Sequence, residues 1–344
     1  MLTEAARKGL SAPVNLTWEI TMRCNLRCAH CLSDAGNKAK GELSTAQCRR
    51  VIDELSRLKV FQINVGGGEP FARPDFLELL DYALTKGIVV CVSTNGTLLD
   101  QALCRHLAGL DGLFLQVSLD GVDCQTNDAI RGQGTYDRAM IGMERLRTAQ
   151  VPFSVNTVLT RQSHAQLDEL KKLAGSLGAT FRVSRFRPSG RAKDCWQELA
   201  PSAEQLESFA DWLAGDAQVL TGDSFFSLTS ERRRRMGLDM CGAAKMTCCL
   251  TPSGGLYPCA FLQEDDFYAG NILEHGLAGI WRDSEVFNYF RGLEVHSCHW
   301  CKRFDSCRGG CPAMAYHLYH DPAQPDPDCL MNCLGQTSPL AAEA

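Results

Sequence analysis

From Val14 to Gly215, short apolar or alternating stretches rich in β-branched residues end in polar or glycine-rich turns. An amphipathic stretch of helical period follows each of them. The strands expected are Val14–Thr21, Val60–Val65, Ile88–Ser93, Leu113–Leu119, Phe153–Leu159 and Thr180–Phe186. The helices expected are Ser44–Leu58 with Ser44 as N-cap, Pro74–Lys86, Asp100–Leu107, Tyr136–Ala149, His164–Leu177 and Ser202–Leu213. In the first helix Val51, Ile52, Leu55 and Leu58 fall on one stripe, as a helix lying on a sheet requires. Strand–helix alternation implies parallel strands with right-handed crossovers. Six units are too few for a closed eightfold barrel, so the fold expected over 14–215 is α/β, a partial (β/α)6 barrel. In such folds chemistry gathers at the C-terminal ends of the strands, which makes strand ends the places to look.

The pattern fades beyond Gly215. Residues 216–240 form a mixed bridge with the basic run Arg232–Arg235, which suits a solvated face or a grip on an acidic peptide. Residues 241–333 are rich in Cys, Gly and Pro with only short regular stretches. A segment of this kind has little core of its own and needs bound metal to fold. Residues 1–13 are a leading segment and 334–344 a small polar tail.

Composition narrows the class. With 344 residues, 45% hydrophobic and 22% charged, the chain is neither disordered nor collagenous nor a coiled coil. A net charge of −5 gives no support to nucleic acid or an anionic membrane as the main partner. No apolar run approaches the roughly 20 residues of a membrane span. Met1–Leu10 carries Glu4 and no apolar core segment, so it does not read as a secretory signal, and a cytoplasmic address is expected. The cysteines then change the picture. Eighteen thiols in a reducing compartment are not a disulfide framework. Five are scattered, Cys48, Cys91, Cys104, Cys124 and Cys195; the others cluster at Cys24, Cys28 and Cys31 and, ten of them, between Cys241 and Cys333. Clustered thiols argue for metal.

Cys24, Cys28 and Cys31 stand in a C-x3-C-x2-C loop directly after the first strand. Three thiolates so spaced can wrap one corner of a cubane iron–sulfur cluster and leave its fourth iron without a protein ligand. An open metal site can take a substrate. The alternative is zinc completed by His30 or a distant residue, although structural zinc usually shows two close pairs of ligands. Ligand type narrows the metal without fixing it. His30 is expected beside the cluster and not on it.

Gly66–Pro70 (GGGEP) follows the second strand, Ser93–Gly96 (STNG) the third and Ser118–Gly121 (SLDG) the fourth. Singly, GGGEP is a turn that opens no Walker or dinucleotide loop, and Asn95-Gly96 is a common turn dipeptide. With the three-cysteine loop, these motifs at successive strand ends resemble the radical SAM superfamily. The resemblance implies that the open iron chelates the amino and carboxylate groups of S-adenosyl-L-methionine (SAM). It implies that Gly67 and Gly68 let backbone approach SAM, that Glu69 accepts hydrogen bonds from its ammonium, and that Ser93, Asn95 and Ser118 lie near the ribose or methionine end. Arg131 would meet the SAM carboxylate or make a surface ion pair. The activity implied is reductive cleavage of SAM to a 5′-deoxyadenosyl radical that abstracts hydrogen.

The array Cys298-x2-Cys301-x5-Cys307-x3-Cys311-x17-Cys329, with Cys241 and Gly254-x4-Cys259 upstream, resembles the SPASM extension of radical SAM maturases. The resemblance implies two auxiliary 4Fe–4S clusters, one on Cys241, Cys248, Cys259 and Cys311 and one on Cys298, Cys301, Cys307 and Cys329. Cys249 adjoins Cys248, and Cys333 follows Cys329, so each of those two places has two candidates. The stretches Leu16–Glu19, Gly41–Gln47, Arg187–Arg191, Leu220–Phe226, Cys241–Ala243 and Cys307–Cys311 are most similar to the mycofactocin radical SAM maturases. That family oxidatively decarboxylates the terminal tyrosine of a short ribosomal peptide ending in Val-Tyr and cross-links the product to the valine. It implies a precursor peptide, a reductant such as flavodoxin or ferredoxin, and a small separate peptide-recognition protein, since 23 residues before Cys24 leave no room for a winged recognition domain. Pyrroloquinoline-quinone-type peptides, haem-type tetrapyrroles or a protein side chain are alternative substrates. A zinc-stapled binding protein without activity is the alternative of another class.

Overall fold

The computed structural model describes residues 10–215, 218–221 and 241–330. The basic run Arg232–Arg235, most of Leu220–Phe226 and Cys333 lie outside the described residues. Six parallel strands form where alternation placed them: β1 Asn15–Thr21, β2 Gln62–Gly67, β3 Val89–Thr94, β4 Leu113–Ser118, β5 Phe153–Leu159 and β6 Thr180–Arg185. The crossovers carry α1 Thr45–Arg57, α2 Phe76–Thr85, α3 Gln101–Leu107, α4 Cys124–Arg131, α5 Thr135–Thr148 and α6 Leu167–Ser176, and α7 Ala203–Gly215 follows β6. The two faces of β1 explain the layering. Leu16, Trp18 and Ile20 are buried against the helices with Val51, Ile52 and Leu55 of α1, whereas Thr17 and Glu19 point into the barrel lumen. Ser44 caps α1 in a full capping box with Gln47.

Three departures from the expected pattern have local causes. The helix expected from Pro74 starts at Phe76, because Arg73 turns inward to donate to the Ile20 and Leu43 carbonyls and pairs with Asp75. A 3₁₀ turn over Ser163–Gln166 takes the first residues of the fifth expected helix. An unexpected helix, α4, is started by Asp123, whose side chain accepts from the Thr126 N–H.

The cysteine-rich region joins the same sheet. Its first strand, β7 Thr247–Leu250, runs parallel to β1 on the side opposite β2, and the antiparallel strands β8 Gly255–Tyr257 and β9 Gly270–Asn271 follow. The sheet order is β6-β5-β4-β3-β2-β1-β7-β8-β9. Helices α8 Ile272–Asp283, α9 Glu285–Gly292 and α10 Pro312–Tyr319 cover it. The apolar side chains of this region pack into the core of the barrel. Trp281 and Phe287 are buried with ring centroids 5.6 Å apart, and both belong to the core of the barrel.

Candidate functional site

The ends of β1 and β2 are locked together. Gly68 N–H donates to the Thr21 carbonyl at 2.7 Å and Glu69 N–H to the Arg23 carbonyl at 2.9 Å. A Cβ on Gly67 would stand 2.6 Å from the Thr21 carbonyl oxygen, and one on Gly68 would stand 2.1 Å from that of Arg23. The glycines line the cavity, and they are also demanded by backbone contact, Gly67 with the end of β1 and Gly68 with the start of the cysteine loop. The loop is fixed further by N–H groups of Leu26 and Ala35 directed at the sulfurs of Cys24 and Cys31, both at 3.4 Å.

Cys24, Cys28 and Cys31 line one cavity of about 280 Å³ together with Gly67, Gly68, Glu69, Ser93, Asn95, Ser118 and Arg131. All the residues expected around SAM therefore reach one space at the C-terminal ends of β1 to β4. Glu69 is buried, and its carboxylate accepts from Thr94 Oγ1 (2.8 Å), Asn95 N–H (2.7 Å) and Phe71 N–H (3.2 Å). Burial outweighs these donors and raises its pKa to about 7. Ser93 Oγ accepts from Gln116, and Asn95 Nδ2 donates to Asn25 Oδ1 at 2.9 Å, which ties the third strand end to the cysteine loop.

Arg131 was expected on the SAM carboxylate or in a surface ion pair; it lines the cavity, and its ion pair is buried, not at the surface. It is buried at the end of α4 with Nε 2.6 Å from Asp120 Oδ2, the oxygen that His30 Nε2 meets at 2.7 Å. Burial pushes the Asp120 carboxyl up, but Arg131 and His30 overcome it and hold the group well below the usual carboxylate range. The SLDG motif therefore supplies a buried anion that clamps α4 and the cysteine loop. The Ala29 N–H adds a bond to the Ile130 carbonyl at 2.9 Å.

Strand register separates the adjacent thiols of β7. Cys248 pairs with Leu16 and Cys249 with Thr17, and paired residues share a face of the sheet. Cys248 thus enters the helix-facing core, with Arg291 as its charged neighbour. Cys249 faces the lumen and lies within electrostatic reach of Glu19 and Cys259. Cys259 in turn senses Cys241 and Cys311. Of the two candidates for this place, Cys249 is the one that lies on the lumen side, near Cys259, and Cys248 the one packed in the core. Cys298, Cys301, Cys307 and Cys329 line a separate small cavity with Phe304, Gly309, Pro325 and Asp326. Burial raises the thiols, Cys24, Cys241 and Cys298 to about 11 and Cys307 to about 12. A strongly Lewis-acidic core is needed to hold them as thiolates. Three thiols on an open cavity, four electrostatically neighbouring thiols and four more about a small cavity fit one cluster with a vacant corner and two fully ligated ones.

Sequence reasoning missed the cation that ends β6. Arg185 donates to both oxygens of Asp326, one at 2.7 Å, and also to Asp328, and Asp326 accepts from the Cys311 N–H at 2.9 Å. Arg185 and Arg187 line the main cavity, as does Glu19, which accepts from Ser33 Oγ. The strand-end rule pointed at this place, and Arg187 opens one of the stretches of family resemblance, but nothing in the sequence paired Arg185 with Asp326.

Comparison with known proteins agrees with this geometry. The radical SAM superfamily profile matches residues 18–174, and that of the SPASM iron–sulfur cluster-binding domain matches 241–312. Mycofactocin maturase MftC of Mycobacterium tuberculosis is 44% identical over 99% of this chain and 88% of its own. The protein of the same name from Mycolicibacterium smegmatis is 45% identical over 96% and 86%. AdoMet-dependent heme synthase of Methanosarcina barkeri is 30% identical over 93% and 97%. Among solved structures, Streptococcus suis SuiB bound to its precursor peptide SuiA shares the fold, with a TM-score of 0.78 and 20% identity over 96% of this chain and 78% of that one.

Proposed function

The chain belongs to the mycofactocin maturase family of radical SAM enzymes, and on that footing we propose that it matures a short ribosomal peptide ending in Val-Tyr. The reaction removes carbon dioxide and two hydrogens from the terminal tyrosine and then joins the product to the neighbouring valine by a carbon–carbon bond. A small peptide-recognition protein presents the substrate, and a flavodoxin or ferredoxin supplies electrons. The bound clusters and SAM supply the chemistry, one-electron cleavage of SAM to a 5′-deoxyadenosyl radical and an acceptor for the electron that oxidation releases.

The chain's own residues do the rest. Cys24, Cys28 and Cys31 hold the SAM-binding cluster. Glu69, fixed by Thr94 and the backbone of Asn95, receives the SAM ammonium. Ser93, Asn95 and Ser118 line the space left for its ribose and methionine end. Arg131 acts indirectly, by holding the cysteine loop through Asp120. Cys241, Cys249, Cys259 and Cys311 hold the first auxiliary cluster, and Cys298, Cys301, Cys307 and Cys329 the second. Apolar walls such as Phe186 and Phe261 shape a shielded space in which the positioned substrate C–H, and not a stray donor, meets the radical.

The observation that carries this reading is that the three-thiol loop and the strand-end motifs line one cavity. The experiment incubates the anaerobically reconstituted enzyme with SAM, reductant, partner protein and a Val-Tyr peptide. Mass spectrometry should show loss of one carbon dioxide and two hydrogens. SAM cleavage without any change in the peptide would move the substrate to another class, such as a tetrapyrrole. A colourless zinc protein without labile sulfide would end the enzyme reading.

A further inference from the structure

The interior of a parallel barrel is ordinarily filled by branched apolar side chains. Here polar side chains take that place: Thr17, Asn64, Gln116, Asn156 and Ser184 line the same cavity as Cys24, Cys28 and Cys31. Strand alternation fixes the depth of three of them. Thr17 and Asn64 are register partners two residues before Glu19 and Gly66, and Gln116 stands two residues before Ser118. Two residues of strand span about 6.6 Å, so this layer lies one long side chain beneath the strand ends. Its hydrogen bonds are incomplete. Asn64 Oδ1 accepts from Gln62 Nε2 at 2.6 Å, and Gln116 Nε2 donates to Ser93 Oγ at 3.3 Å. Asn64 Nδ2 and Gln116 Oε1 are left without a partner among the described residues, one a donor and the other an acceptor. All three side chains are neutral, which suits a neutral hydroxyl better than a carboxylate or an ammonium.

We propose that Asn64 and Gln116, flanked by Thr17, form the subsite for the phenol hydroxyl of the peptide's terminal tyrosine. This rests on the peptide reading above and adds the residues that read the polar tip of the tyrosine ring. A phenol hydroxyl both donates and accepts, so it donates to Gln116 Oε1 and accepts from Asn64 Nδ2. The ring meets apolar lining such as Val158 and Phe186. With the hydroxyl held in this layer, the backbone end of the tyrosine stands one ring-length higher, level with the strand ends and the space left for SAM. A phenylalanine in the same place would leave both amides unpaired, and that is how a site selects for a hydroxyl.

The test measures binding of precursor peptides to the cluster-loaded enzyme with its partner protein and SAM, without reductant. The peptides end in tyrosine, phenylalanine or O-methyltyrosine. The wild type should bind the tyrosine peptide about tenfold or more tighter than the phenylalanine peptide. The methyl ether, which has no proton to donate, should bind no better than phenylalanine. Asn64→Leu and Gln116→Leu should each bring the tyrosine-to-phenylalanine ratio toward one while still binding the phenylalanine peptide, so that a lost preference is told from a lost fold. Equal binding of the tyrosine and phenylalanine peptides by wild type overturns the subsite and needs no variant. So does an undiminished ratio in both variants accompanied by weakened SAM binding, which would assign the layer to the nucleotide. Failure of wild type to bind any of the peptides would instead bring down the peptide reading, and the subsite with it.

Discussion

At the scale of single residues, the adjacent thiols Cys248 and Cys249 show how register decides chemistry. Cys249→Ala should lower iron by about four per chain, the content of one cubane. Cys248→Ala should keep its iron and lower thermal stability instead, because it opens a gap in a packed core. Iron and sulfide analysis beside melting curves separates the two. Glu69 offers a test by pH. Its pKa, raised to about 7, leaves the free enzyme with a substantial fraction of neutral carboxyl at neutral pH. A raised carboxyl favours the folded state at low pH, and that contribution is lost as pH rises from its unfolded value through about 7. The SAM ammonium needs the ionised form, so affinity should strengthen several-fold, about 3- to 10-fold, between pH 6 and 7.5. Anaerobic calorimetry would measure it, and Glu69→Gln should bind SAM weakly with no such slope.

At the scale of elements, α4 is held to the site by a buried anion. Removing the Asp120 charge leaves Arg131 buried and unpaired, which costs about 3–5 kcal/mol. Asp120→Asn should therefore melt well below wild type and lose iron from the SAM-binding loop before the auxiliary sets. Because the Asp120 pKa is lowered, its contribution is present above the usual Asp value and fades only in acid, so the deficit should persist across neutral pH. The strands and their following helices were legible because alternation and helical period repeat six times. Helix α4 was not: CQTNDAIR carries little apolar signal, and what places it is a pairing with His30, ninety positions from Asp120. Strand β7 was hidden for another reason. In Thr-Cys-Cys-Leu the cysteines read as ligands, and only the register against β1 shows one of them to be core. The site was legible wherever a motif closed a strand, and illegible at Arg185, whose meaning depends on Asp326 far along the chain.

At the scale of the whole molecule, the cysteine-rich region completes the sheet that the barrel begins. Strand β7 occupies the edge of β1, and Arg185 reaches across from β6 to Asp326 beside the second thiol set. A chain truncated after Gly215 would bare that edge and the core face around Leu16. It should be insoluble or rapidly proteolysed, whereas an independent barrel would survive; soluble expression and limited proteolysis decide. One consequence reaches into assembly. Sliding β7 by one position along β1 turns every side chain to the opposite face. Since sulfur occupies two consecutive places there, such a misalignment trades one donor for its twin and does not strip the lumen of it. What holds the native register is therefore Leu250, which the same slip would carry out of the core, and not the cysteines.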